Sequence, residues 1–338
     1  MAQEKEFPEV IQSIGKFVDL AVISLSLPPR IDAVGQAPFP EDELAKLVLA
    51  QQYIGKSNRV SVGMLAMFKQ TLNIHDRWSP SYKTLERAYG DADVIAILNE
   101  SFFLTQKPVK DLEHNFMADG TCFPTSIKVN WESSKEEILK ISEKQNFEGA
   151  KERKKHQFEK AVIVAGSTFK IISSFARAKT SASHESPYLK KLLKEVGEFY
   201  ALVAMVCLDS GFLSRENCEF IEKEIKAKPR IFPKKGVTLK ARGSQAWKEM
   251  LLGFVNDTQS WLREYHKRSI IETINSTMKR TLPYAIKKKL VDRKTTEMLA
   301  KIIVYNVRQL VYLHYTKGID TGVNAEPRQV TLGDWLKS

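Results

Sequence analysis

Two aspartates stand where apolar segments of the chain end, and carboxylates in such places can bind metal ions. Asp119 follows HNFMA and Asp209 follows ALVAMVCL, and Gly120 and Gly211 come close behind them, where they would permit a turn or a close backbone approach. An ionised carboxylate at the end of a buried strand is costly unless it is solvated, paired or bound to a cation. Ligands of open α/β sheets gather where strands end. For either aspartate alone, capping a turn is the simpler interpretation.

A third carboxylate lies in the segment WLREYHKRSIIETINSTMK, which predicts a helix beginning near Trp261. At about 100° per residue, Tyr265, Arg268, Glu272 and Lys279 fall on a stripe roughly 60° wide. Arg268 and Glu272 could be an ordinary surface pair four residues apart, contributing a few tenths of a kcal/mol. Beside a phosphodiester, by contrast, Glu272 could bind metal, the two cations could hold phosphates, and Tyr265 could stack on or hydrogen-bond to a displaced nucleotide.

Three further residues are candidates for DNA contact. His184 could help to organise the site or the scissile phosphate, although a surface histidine before a helix is the alternative. Lys234 and Lys235 lie beside the predicted sheet and could contact DNA, or they could simply be a solvated strand end.

The elements that must position these residues change in type along the chain. Residues 1–110 predict mostly helices, at about 41–54, 60–72, 80–89 and 91–105. They could form a DNA-binding helix-turn-helix or a helical bundle that serves only for packing. From residue 111, strand-like runs HNFMADGTCF, KAVIVAG, FKIISSFARA, YALVAMVCLD and PRIFPKK, with helices at 184–196 and 214–228, predict a mixed α/β sheet flanked by helices.

Three units follow from this pattern. Residues 1–110 are predicted to be a helical domain that could bind DNA, and 111–285 an α/β domain that carries Asp119, Asp209 and Glu272. Within the latter, the charge-dense segment 131–157 is predicted to be a solvated helical insertion, with a DNA-contacting arm as the alternative. Residues 286–338 are predicted to be a helical extension and an irregular tail; the helical region 259–315 breaks at Leu282-Pro283.

Composition favours a polyanionic partner. The 338 residues include 52 Lys and Arg against 40 Asp and Glu, a formal net charge of +12. A basic protein without a nucleic-acid role also remains compatible with this charge. Three cysteines cannot form a disulfide framework, and no signal peptide or apolar run of about 20 residues is present, so we expect a cytoplasmic protein with no membrane partner.

The motifs together resemble a known family. Tyr265-x2-Arg268-x3-Glu272-x6-Lys279 resembles the Tyr-Arg-Glu-Lys signature of insertion-sequence DDE transposases, which have an RNase H-like catalytic core. DGT at 119–121 and LDSGFLSREN at 208–217 resemble the two aspartate motifs of that family. HESP at 184–187 and IFPKK at 231–235 resemble its intervening segments, and the resemblance covers roughly residues 110–315.

The resemblance implies that Asp119, Asp209 and Glu272 form the metal-binding catalytic triad, on the first strand, at the fourth strand and on the helix after the fifth. It implies two Mg²⁺ ions, replaceable by Mn²⁺, hydrolysis at a transposon end, and attack of the resulting 3′-OH on target DNA. The implied partners are double-stranded DNA and a second copy of the chain, as a homodimer on DNA in a prokaryotic cytoplasm, at the nucleoid. A stand-alone RNase H-like nuclease and a catalytically silent, domesticated DNA-binding relative are the alternatives.

Overall fold

The computed structural model describes residues 3–27, 39–77, 79–125, 158–180, 183–239 and 244–321. Its described strands form a five-stranded mixed sheet in the order β3-β2-β1-β4-β5. The strands are β1 (Asn115–Pro124), β2 (Phe158–Gly166), β3 (Ile172–Arg177), β4 (Met205–Leu208) and β5 (Lys228–Ile231). Strand β2 runs antiparallel to both β1 and β3, whereas β4 is parallel to both β1 and β5. The predicted α/β class and the five strand segments are confirmed.

Strand identity follows from burial on both faces of the sheet. All four residues of β4 are buried, and the last six residues of β2 are buried without alternation. A strand covered by helices on both sides is apolar throughout, as MVCL and AVIVAG are. The sheet therefore needs helices on each face.

Eleven α-helices are described, and they supply that cover. Helix α6 packs on β2 and β3, α8 and α9 on β5, and α10 on β1. The helices are α1 (Gln3–Leu25), α2 (Glu41–Ile54), α3 (Asn58–Leu65), α4 (Tyr82–Ala88), α5 (Ala92–Leu104), α6 (Ser186–Phe199), α7 (Arg215–Glu219), α8 (Gln245–Asn256), α9 (Thr258–Tyr265), α10 (Ser269–Thr281) and α11 (Val291–Lys317). None of these helices is long and apolar enough to cross a membrane.

Helix α11 joins the N-terminal helices to the sheet. It packs against α1, α2 and α5, and the buried apolar residues of all these elements form one continuous core. Asn306, fully buried on α11, exchanges hydrogen bonds with both backbone groups of Ile172 at 2.9 Å and donates to Thr105 Oγ1 at 3.1 Å. One amide side chain thus fastens α11 to the edge strand β3 and to the end of α5.

Several predicted elements need correction. The helix predicted to begin near Trp261 begins at Thr258, and a 3-10 turn, His266–Arg268, divides it into α9 and α10. Ser269 Oγ donates to the His266 carbonyl at 2.8 Å, a local bond of the kind that bends helices. Helices α1 and α8 were not predicted as separate helices. The predicted break at Leu282-Pro283 is confirmed, because α10 ends at Thr281. The 131–157 segment lies outside the described residues, and the proposed domain boundaries stay predictions.

Candidate active site

The register between β1 and β4 brings the two aspartates together. The parallel pairing ends at Ala118 opposite Leu208, so the next residue on each strand is an aspartate, Asp119 or Asp209. Asp209 directly follows β4, as predicted. The prediction that Asp119 ends its strand is wrong, because β1 continues to Pro124 by pairing with β2. The site therefore lies where the shorter strand stops and the longer one continues.

Arg268 connects the first aspartate to the glutamate. Its Nη1 lies 2.7 Å from Glu272 Oε1, and its Nη2 lies 3.9 Å from Asp119 Oδ2. The 3-10 turn that ends at Arg268 directly precedes α10, whose first turn carries Glu272. The surface pair considered from the sequence does form, but its arginine also reaches the sheet. Arg268 thereby bridges Asp119 and Glu272.

The carboxyl group of Asp119 is electrostatically unusual. Its pKa is raised to about 6, mainly by burial and also by the charges of Glu185 and Asp209, against the opposing effect of Arg268. The Gly120 N–H donates to Asp119 Oδ1 at 2.9 Å, which favours the ionised form. Burial disfavours the ionised carboxylate more strongly than Arg268 and this hydrogen bond stabilise it. The ionised form of Asp119 therefore lacks sufficient positive charge nearby.

We expect Asp119→Asn to stabilise the metal-free protein. The pKa of Asp119 is higher in the folded than in the unfolded chain, so ionisation costs stability, and the cost develops as the pH rises from about 4 to about 6. A shift of this size corresponds to about 2–3 kcal/mol. Urea unfolding in EDTA should therefore show the variant more stable at pH 7.5, with the gain shrinking toward pH 4.5. Asp111→Asn, at an exposed position, is the control; a gain independent of pH would contradict the assignment.

Glu185 is a neighbour of the site that the sequence analysis did not single out. It precedes α6 and forms an ion pair with Lys160 on β2, with Nζ–Oε1 at 2.8 Å. A Cβ on Gly120 would lie 2.0 Å from Glu185 Oε1. Only glycine therefore leaves room on β1 for the carboxylate at this position. Because side chains alternate along a strand, Glu185 meets β1 on the face opposite Asp119. The signal was Gly120, for which the sequence allowed a turn or a close approach; Gly120 lies within β1, and Glu185 approaches it closely.

Gly120→Ala should therefore destabilise the protein. The added methyl would push Glu185 away from Lys160, and overpacking of this kind costs about 1–3 kcal/mol. The matched control is Gly211→Ala, because a Cβ there meets nothing within 4 Å. Chemical denaturation should show a loss for the first variant and a change within about 0.5 kcal/mol for the second. Adding Glu185→Ala to Gly120→Ala should recover part of the loss, and no recovery would contradict the contact.

The aromatic part of the predicted stripe is packed against the protein. The rings of Tyr265 and Trp261 stack with centroids 5.3 Å apart, and Phe232 lies 5.2 Å from Tyr265. Trp261 is buried and Tyr265 is half-buried. Tyr265, the first residue of the stripe, is thus partly covered by the protein, whereas Glu272 and Lys279 are exposed. The aromatic packing seats α9 on the sheet directly before Arg268.

The remaining predicted site residues lie farther out. Lys279, on α10, is exposed, and its Nζ lies 5.3 Å from the ring centroid of Tyr284, which itself stacks on Phe123. His184 precedes α6, and Lys234 and Lys235 follow β5; all three are exposed. Their positions leave them free to meet a ligand, and the structure does not bring them into contact with the carboxylates.

The donor set suits a hard divalent cation, although the carboxylates do not converge. Asp119, Asp209 and Glu272 offer only carboxylate oxygens, which Mg²⁺ prefers. Among the described residues, Arg268 is the cation in ion-pair contact with this triad, so three negative charges face one positive charge. No group of three acidic, histidine or cysteine residues in the described part of the chain is gathered closely enough to hold a metal ion. Arg268 stands between Asp119 and Glu272 instead.

The family described as "Transposase DDE domain" matches residues 116–307, a range that contains all three carboxylates and more than half of the chain. A probable transposase for insertion sequence element ISA1214 from Archaeoglobus fulgidus is 22% identical over 299 residues, covering 88% of this chain and 83% of that protein. The chain therefore belongs to the DDE transposase family, whose members are metal-dependent enzymes that cut and join DNA.

Proposed function

We propose that Asp119, Asp209 and Glu272 are the catalytic and metal-binding carboxylates of this transposase. The observation that carries the assignment is the end of the β1–β4 pairing, which puts the two aspartates side by side. Glu272 is tied to the same place through Arg268. Within the family, we assign the chain to the group with the Tyr-Arg-Glu-Lys signature, from the spacing of residues 265, 268, 272 and 279.

Two Mg²⁺ ions, or Mn²⁺ in their place, are the proposed cofactors. Divalent ions held by these carboxylates would stabilise the charge that develops on the oxygens during in-line displacement at phosphorus. Asp119 must be ionised to serve as a ligand. Burial disfavours that ionisation, because it raises the pKa of the carboxyl group. A divalent ion beside Asp119 would therefore stabilise the ionised carboxylate that burial disfavours.

The proposed reaction has two phosphoryl transfers. In the first, a water oxygen attacks phosphorus at the transposon end, and the bond to the 3′ oxygen breaks to leave a 3′-OH. In the second, that hydroxyl loses its proton and attacks a target phosphodiester, displacing the 3′ oxygen of the target strand. Arg268 and Lys279 would hold the phosphates, and the exposed part of Tyr265 would contact a nucleotide beside the scissile bond.

Double-stranded DNA is the proposed partner, as transposon end and as target. His184, Lys234 and Lys235 are proposed contacts because all three are exposed around the predicted site. Residues 1–110 are proposed to bind DNA, 111–285 to catalyse and 286–338 to extend the catalytic part. Action as a homodimer on DNA, at the nucleoid of a prokaryotic cytoplasm, is proposed on family grounds.

A joining assay tests the function against its rivals. The full chain is incubated with Mg²⁺, a labelled transposon-end oligonucleotide that carries a free 3′-OH, and a supercoiled target plasmid. Transfer of the label to the plasmid is the result expected of a transposase. Hydrolysis without joined product would indicate a stand-alone nuclease, and binding of end DNA with neither reaction would indicate a silent relative. The terminal sequence would be taken from the short inverted repeats that flank the coding region.

A further inference from the structure

The side chain of Arg268 occupies the space between two carboxylates of the triad. Its Nη1 and Nη2 face Glu272 and Asp119 at 2.7 and 3.9 Å, and the side chain is only 16% exposed. The charge of Asp209 also acts on it. Among the described residues, this guanidinium is the cation that pairs with the triad, and it contacts two of the carboxylates that a metal ion would have to bind together.

This arrangement is weakly held. Glu272 is 61% exposed, and an exposed ion pair four residues apart on a helix contributes only a few tenths of a kcal/mol. The contact with Asp119, at 3.9 Å, is too long for a hydrogen bond. Arg268 Nε is buried and has no hydrogen-bond partner among the described residues. A guanidinium whose donors are incompletely used can leave at low cost.

We propose that Arg268 is the resident counter-cation of the metal-free site, and that it leaves the carboxylates when metal binds. The inference rests on the proposed triad and goes beyond it by giving Arg268 two positions. In the first, Arg268 neutralises Asp119 and Glu272 and competes with metal. In the second, its five donors are released toward a DNA phosphate, which a planar guanidinium binds with two parallel hydrogen bonds. Arg268 is in this sense a positioning residue that couples metal loading to DNA capture.

Competition predicts an effect of unusual sign. Removing an ordinary member of a metal site weakens metal binding, whereas removing a competing cation strengthens it. In the absence of DNA, Arg268→Gln should bind Ca²⁺ about five- to tenfold more tightly than the wild type. Coupling also predicts that Ca²⁺ raises the affinity of the wild type for end DNA by a similar factor, and that Arg268→Gln loses this enhancement, because linked equilibria are reciprocal.

Calorimetric titration of the full chain with Ca²⁺ tests the proposed triad and the role of Arg268 separately. Arg263→Gln is the matched control, since Arg263 is an exposed arginine on the adjoining helix α9 and its loss changes the net charge equally; its Ca²⁺ affinity should stay within about twofold of wild type. Asp209→Asn and Glu272→Gln should abolish the binding. If the wild type binds no Ca²⁺, or these two variants bind it normally, the proposed triad fails.

If the triad variants lose Ca²⁺ binding but Arg268→Gln binds no more tightly than the wild type, the triad stands and the counter-cation is overturned. A second measurement covers the case in which Arg268→Gln does not fold. In the wild type labelled with ¹⁵N-arginine, Ca²⁺ should shift the Nε–H signal of one buried arginine, assigned by its loss in Arg268→Lys. An unchanged signal under saturating Ca²⁺ would also overturn the proposal.

Discussion

Asp209→Asn and Glu272→Gln should each reduce Mg²⁺-dependent strand cleavage about a thousandfold or more. Each change removes a charged oxygen ligand but keeps the shape of the side chain. The charge stabilisation that a bound metal provides is worth several kcal/mol, and about 4 kcal/mol corresponds to about a thousandfold in rate. The measurement is single-turnover nicking of a transposon-end duplex in Mg²⁺, for the wild type and each variant at equal protein concentration.

Two controls separate chemistry from folding and binding. Glu198→Gln changes an exposed carboxylate on α6, 67% exposed and paired with Lys194, and should leave the nicking rate unchanged. Both triad variants should still retard end DNA in a gel, because binding rests on basic residues rather than on the carboxylates. Nicking that continues at the wild-type rate in either triad variant would remove that residue from the site.

The second large effect concerns stability. Glu297 on α11 is buried, and its carboxylate accepts the backbone N–H groups of Lys287 and Lys288 at 2.9–3.1 Å. It also faces Lys301 Nζ at 3.4 Å. Glu297→Ala should reduce the free energy of unfolding by about 3–5 kcal/mol, because it leaves a buried ammonium without its carboxylate and two backbone donors without their acceptor. Urea unfolding followed by circular dichroism measures the loss.

Lys301 explains why the loss should be large. Burial lowers the pKa of its ammonium to about 8, against the opposing effect of Glu297. The same ammonium donates to Gln52 Oε1 at 2.7 Å and to the Pro283 carbonyl at 2.5 Å, so it ties α2 to the segment after α10. Lys301→Met added to Glu297→Ala should cost less than half of what Lys301→Met costs alone, since the two charges depend on each other. Additive losses would show that the pair is not coupled, and Glu198→Ala, within about 0.5 kcal/mol, is the surface control.

The sequence did not reveal this buried charge cluster, because the charge of a residue does not indicate whether it is buried. Glu297 and Lys301 lie four residues apart on a helix, which usually indicates a solvated face. Their burial depends on Gln52, which is 249 residues away in the chain from Lys301. The same limit applies to Glu185, which precedes α6: its importance arises from Gly120 on strand β1, and no local pattern contains both.

The local periodicity of the helices was more informative. Helix α2 occupies 41–54 as its pattern predicts, and the end of α10 at Thr281 agrees with the break at Leu282-Pro283. Prediction failed where a side chain competes with the backbone, as at the turn His266–Arg268, which Ser269 helps to form. It also failed for α8, whose buried Trp247 and Met250 were not recognised as the apolar face of a separate helix.

The sequence by itself determined the α/β class, the strand segments, the family resemblance and the three carboxylates now proposed as the triad. These properties follow from apolar runs and fixed spacings, which are local patterns that can be recognised directly in the sequence. The tertiary structure decided that β1 continues past Asp119, that Arg268 reaches from its turn to the sheet, and that Glu185 crosses β1 at Gly120. Those contacts depend on strand register and on the approach of distant elements, which residue types at a given spacing do not specify. The prediction that Arg268 holds a phosphate stays a proposal, and the fold adds that Arg268 lies between Asp119 and Glu272.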